Sequence, residues 1–78
     1  MWRVTTGEEM RAWRLGAGLS QAEAARRVGV CQVTWSSWER GRIAPRIAHA
    51  VAIEAMTAGA VPVRAWLDDH AAERTPAA

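Results

Sequence analysis

Lysine, asparagine, phenylalanine and tyrosine are absent from the 78-residue chain, and cysteine occurs once, at Cys31. One thiol cannot close an internal disulfide, and His49 and His70 add too few soft ligands for any zinc spacing, so no metal is expected. No apolar run approaches the ~20 residues of a membrane span, so no membrane partner is expected. The opening "MWRVTTGEEM" has neither an apolar core segment nor a small-residue cleavage site. That pattern excludes a secretory signal and leaves a cytoplasmic location as the expectation. The missing lysine, set against abundant alanine and arginine, fits a GC-rich coding bias and says little about function. A chain this short cannot hold both a substrate pocket and the scaffold around it. No nucleophile, base and orienting group converge in it. An enzyme, a cofactor and a small-molecule substrate are therefore not expected, and a binding module is.

What charge there is lies unevenly. The formal net charge is +2. Residues 26–53 hold Arg26, Arg27, Arg40, Arg42 and Arg46 against Glu39 alone, which is +4. Residues 54–78 hold Glu54, Asp68, Asp69 and Glu73 against Arg64 and Arg74, which is −2, and residues 1–25 balance to zero. A local positive field of this kind is either a solvated face or a nucleic-acid footprint, depending on whether the arginines line one surface.

Helix punctuation runs the length of the chain. Thr6 followed by Glu9 reads as a capping box that opens a first helix, with Met10, Trp13 and Ala17 on one stripe and Gly16 and Gly18 at its end. Ser20 and Glu23 repeat the box before a second helix, which Gly29 ends as a left-handed C-cap. A third helix is expected from about Cys31 to Arg40, closed by Gly41. A fourth, alanine-rich helix follows Pro45 from about Arg46 to Thr57, and a short fifth begins at Pro62 and carries Val63, Trp66 and Leu67. No stretch alternates with period two. The expected fold is therefore all-α: a compact bundle of about five short helices, with a helix-turn-helix at about residues 20–40. The domain is expected over residues 1–70, with 71–78 as a disordered tail.

At 100° per residue, Cys31, Thr34, Trp35 and Trp38 fall on one side of the third helix and Gln32, Val33, Ser36, Ser37 and Arg40 on the other. Burying tryptophans is the largest source of stability open to so small a domain, so the first side is expected in the core. The second side carries short or hydrogen-bonding groups where a merely solvated helix would carry Glu and Lys. Their shortness lets the helix backbone approach a partner closely.

The stretch "RLGAGLSQAEAARRVGVCQVTWSSWERGR" resembles the helix-turn-helix of the lambdoid phage repressor and Cro superfamily (XRE-type). It has an arginine late in helix one, the "LSQ" start, the mid-helix alanine, the turn glycine and the closing "WERGR". The downstream "IEAMTAGAVPVRAW" is similar to the last two helices of phage- or prophage-encoded regulators of that superfamily. The resemblance implies a homodimeric repressor that binds double-stranded DNA at a pseudo-palindromic operator, with the third helix in the major groove. By position, Gln32, Val33, Ser36 and Ser37 are then the base-contacting candidates, and Gln21, Arg40, Arg42 and Arg46 the phosphate contacts. Ala25 matches the small residue where helices two and three cross. Arg14 and Glu39 match a partly buried ion pair. A dimer built from helices four and five would use Val63, Trp66, Leu67 and part of helix four.

The chain departs from that pattern at three positions. Ser37 stands where a long Arg, Lys or Gln is common, which shifts direct readout toward Gln32 and Val33 and leaves the serines for phosphate or water-bridged contacts. Trp35 replaces a Val or Ile and Ala24 a Leu, a large residue on one helix answering a small one on the other. Cys31 reads as an N-cap substitute or, alternatively, as a redox switch on the DNA face. Helix four is apolar nearly all round, which suggests burial on two sides, although alanine also suits exposed helices. Two other functions share these features: an antitoxin that also binds its own promoter, and a protein-interaction module that keeps the fold.

Overall fold

The run "TTGEE" offers two overlapping capping boxes, and tertiary structure chooses between them. In the computed structural model, which describes the backbone of residues 5–73 and side chains through residue 68, Thr5 is the N-cap. Its hydroxyl accepts from the Glu8 N–H, while Glu8 reaches back to the Thr5 N–H. The expected box of Thr6 and Glu9 is thus displaced by one residue. Thr6 is buried, and its hydroxyl donates to the carbonyl of Ala65 at 2.9 Å, tying the first helix to the last.

Five helices follow in order: α1 (Thr6–Gly16), α2 (Gln21–Val28), α3 (Gln32–Glu39), α4 (Ile47–Met56) and α5 (Val63–Glu73), with no strand among the described residues. The fold is all-α, as expected. Ser20 and Glu23 form the second capping box, and Gly29 closes α2 at φ 82°, a left-handed conformation that glycine adopts without steric cost. Cys31 and Arg40 are the caps of α3 rather than members of it, and Arg46 and Thr57 play the same part for α4. Thr57 also closes the α4–α5 turn, accepting from the Val61 N–H at 3.1 Å. The α5 helix continues through residues 71–73, the first part of the segment expected to be a disordered tail. Residues 74–78 lie outside the described residues.

The core is built from Met10 of α1, Ala24, Ala25 and Val28 of α2, Trp35 and Trp38 of α3, Ala50 and Ile53 of α4, Val61, and Trp66 of α5. Trp35, Ala24 and Ala25 are all buried in this core, where α2 and α3 pack on each other. The two α3 tryptophan rings lie tilted at 55° with centroids 6.0 Å apart, and Trp38 packs further onto His49 of α4 at 5.6 Å. Tilted aromatic pairs at this separation are favourable beyond their buried area.

Trp66, expected with Val63 and Leu67 in a dimer interface, is only 7% exposed within its own chain. It belongs to the core because α5 packs on both α4 and α1. Its buried indole N–H has no hydrogen-bond partner among the described residues. Val63 is half-buried against the same core, so of the three proposed interface residues only Leu67 stands clear.

Candidate nucleic-acid interface

The inward side of α3 anchors the helix, and it does so unequally along its length. Trp35 and Trp38 are buried, Thr34 is half-buried, and Cys31, expected on the core side, is exposed because it precedes the first turn. At the far end, Glu39 is buried and receives four donors. Arg14 Nε donates to Oε2 at 2.6 Å and Arg14 Nη2 to Oε1 at 3.3 Å, Gln21 Nε2 donates to Oε1 at 3.0 Å, and the indole N–H of Trp35 donates to Oε2. Arg14 Nη1 also donates to the carbonyl of Leu19 at 2.9 Å, so one guanidinium joins α1, the α1–α2 turn and the end of α3. Burial alone would push the Glu39 carboxyl up. The hydrogen bonds from Arg14, Gln21 and Trp35, with the Arg14 charge, outweigh it and hold the group below its ordinary value.

Gly7, which no local sequence signal marks, makes this anchoring geometry possible. It is buried in the first turn of α1 against the end of α3. A Cβ there would lie 2.8 Å from the carbonyl oxygen of Glu39 and closer still to that of Trp38. Only glycine lets the two backbones meet so closely.

The outward side of α3 is open. Gln32, Val33 and Arg40 are exposed, Val33 at 74%, while Ser36 and Ser37 are half-buried. Together with Arg42 and with Gln21 at the start of α2 they line a shallow depression along the helix. Gln21, a phosphate contact by resemblance, is turned sideways. Its amide nitrogen is committed to Glu39, and its carbonyl oxygen faces Gln32 Nε2 at 3.5 Å. Arg46 stands apart as the exposed N-cap of α4, beside a second depression lined by Cys31, Thr34, Ile43 and His49. The basic residues therefore border the two ends of α3, with Arg40 and Arg42 adjoining the outward strip itself. Glu39, the one acid of the window 26–53, is buried and paired with Arg14, so it does not offset them at the surface.

The model of the helix-turn-helix domain family matches residues 6–65, a span that takes in α1 through α4 and the start of α5. The chain belongs to that family. Comparisons with curated proteins and with solved structures found no match. In this helix-turn-helix domain α2 and α3 are the motif, with Gly29 at the turn between them, and α1 and α4 pack on it from either side. No helix among the described residues is long and apolar enough to cross a membrane.

Proposed function

We propose that this helix-turn-helix domain is a sequence-specific transcriptional regulator, a repressor of the lambdoid repressor and Cro type, that binds a pseudo-palindromic operator in double-stranded DNA as a homodimer. The observation that carries the reading is the outward strip of α3. It holds short polar side chains and one exposed valine, is bordered by Arg40 and Arg42, and is fixed from behind by two buried tryptophans and a buried ion pair. A helix so presented fits the major groove of B-DNA, which is about 12 Å wide and carries the base-specific hydrogen-bond pattern.

In that pose Gln32 faces an adenine edge and Val33 the methyl of a thymine, both more exposed than the two serines of the strip. Ser36 and Ser37, half-buried, meet phosphate oxygens or bridging waters. Arg40, Arg42 and Arg46 neutralise phosphates, which positions the helix without reading sequence. The side chain of Gln21 is engaged by Glu39 and the Glu23 N–H by Ser20, so the phosphate contact at this point falls to the backbone N–H groups of Gln21 and Ala22.

Selection of bound sequences from a random DNA pool at a stated salt concentration should return an inverted repeat. Gln32→Ala should then lose about 1–3 kcal/mol on that site while non-specific affinity barely changes. Arg42→Ala should weaken all sequences together and make the slope of log affinity against log salt shallower by about 1 per subunit. If both variants weakened every sequence alike, with one salt slope, α3 would not be reading bases and the assignment would fail.

A further inference from the structure

The α4 helix is apolar on both sides, and the described residues cover only one of them. Ala50 and Ile53 face the core. At 100° per residue, Ile47, Val51, Ala55 and Ala48 fall within about 100° of one another on the opposite side, and all four are exposed, Ile47 at 62% and Val51 at 50%. Ile43, 54% exposed, lies in the preceding loop. A helix without a polar face needs a second partner.

We propose that the partner is a second copy of this chain, with the two α4 helices packed antiparallel about a two-fold axis at Val51. The sequence of the stripe is complementary to itself in that register. Val51 meets Val51 at the axis, and on either side the large Ile47 of one copy lies over the small Ala55 of the other. A two-fold interface requires this reciprocity, residue i on residue j and j on i. The small Ala48 and Ala55 permit close approach of the backbones. The proposal rests on the homodimer proposed above and gives it a surface. That surface is on α4, not on α5, where Trp66 is already buried. A ten-residue helix is about 15 Å long, so the contact falls short of the roughly 800 Å² per partner of a standard interface. The pair is accordingly weak in free solution and strengthened when two half-sites hold the copies together.

Disulfide trapping tests the register without DNA. In a Cys31→Ser background, Val51→Cys should cross-link under mild oxidation at least about tenfold faster than Leu67→Cys, since facing Cα atoms on closely packed helices come within disulfide range. Ile47→Cys and Ala55→Cys should cross-link faster when mixed with each other than when oxidised alone. Equal rates at 51 and 67, or faster trapping at 67, would overturn the proposal. On DNA, the exposed site lets Val51→Asp fold as the wild type does, which circular dichroism checks. This variant should keep its affinity for a single half-site but lose cooperativity on the inverted repeat. Retained cooperativity would also overturn the α4 interface. Loss of DNA binding by the wild-type chain itself would instead remove the repressor reading and leave the trapping result standing.

Discussion

The two ends of α3 are held in different ways. Its C-terminal end is locked by contacts from three other places in the chain: the backbone of α1 presses on it at Gly7, and the Arg14 and Gln21 side chains converge with Trp35 on Glu39. Its N-terminal end is held by little. Cys31 is the N-cap, yet its side chain makes no capping hydrogen bond, and its sulfur only meets the Thr34 hydroxyl at 3.2 Å. One end is a buried polar network and the other a nearly free helix start. The position of the outward strip is therefore set from its C-terminal end, because residues near Glu39 inherit the rigidity of the network and those near Cys31 do not.

The largest loss is expected at Glu39. Glu39→Ala should cost about 3–5 kcal/mol, because it strands the Arg14 guanidinium and the Trp35 N–H in the interior. Urea unfolding checks this, and a loss under about 1 kcal/mol would mean that the pair behaves like a surface one. The same residue gives a pH signature. Its folded value lies below the ordinary 4.5, so its charged form contributes stability that is complete above that value and is lost as pH falls through the lower, folded one. The stability gap between wild type and Glu39→Gln should accordingly narrow as the solution is acidified below 4.5. A gap that stayed constant down to acid unfolding would show that charge is not what Glu39 supplies.

Gly7→Ala comes next. In an exposed helix the change would be favourable by about 0.5–1 kcal/mol. Here the new methyl would overlap two backbone carbonyl oxygens that cannot rotate away, so destabilisation of about 1–3 kcal/mol is expected. Thermal unfolding reads the sign directly, and a raised midpoint would mean that α1 does not press on the end of α3.

These two residues also mark what the sequence could and could not disclose. Ser20, Glu23 and Gly29 carry their own local geometry, and α2 begins and ends where they place it. The partnership of Arg14 and Glu39 was legible only through the resemblance, because nothing in a separation of 25 residues announces a contact. Gly7 carried no signal, since a glycine in a first helical turn looks like a defect until the opposing backbone is known. Thr5 and Thr6 offered equal capping registers, and the choice came from a carbonyl 59 residues away. The burial of Trp66 likewise depends on how α5 meets α1 and α4, which a weakly amphipathic helix does not disclose. The outward strip was readable because it follows from helical periodicity alone. The engagement of Gln21 by Glu39 was not, because it joins two helices.

The smallest expected effect lies at the loosely held end and has the opposite sign. Cys31 occupies an N-cap position with extended backbone, φ −82° and ψ 161°, the conformation in which a serine oxygen accepts from the N–H of the third helical residue. Here that residue is Thr34. Sulfur is a weak acceptor, so the first turn of α3 has unsatisfied N–H groups facing solvent. Cys31→Ser should therefore stabilise the domain by up to about 1 kcal/mol, the size of a single cap. Amide hydrogen exchange gives the sharper readout: protection should rise at Thr34, whose N–H gains the acceptor, and stay unchanged at Trp38 and Glu39, whose end is already fixed. If exchange slowed equally along the whole helix, α3 would respond as one rigid unit and the contrast between its two ends would not hold.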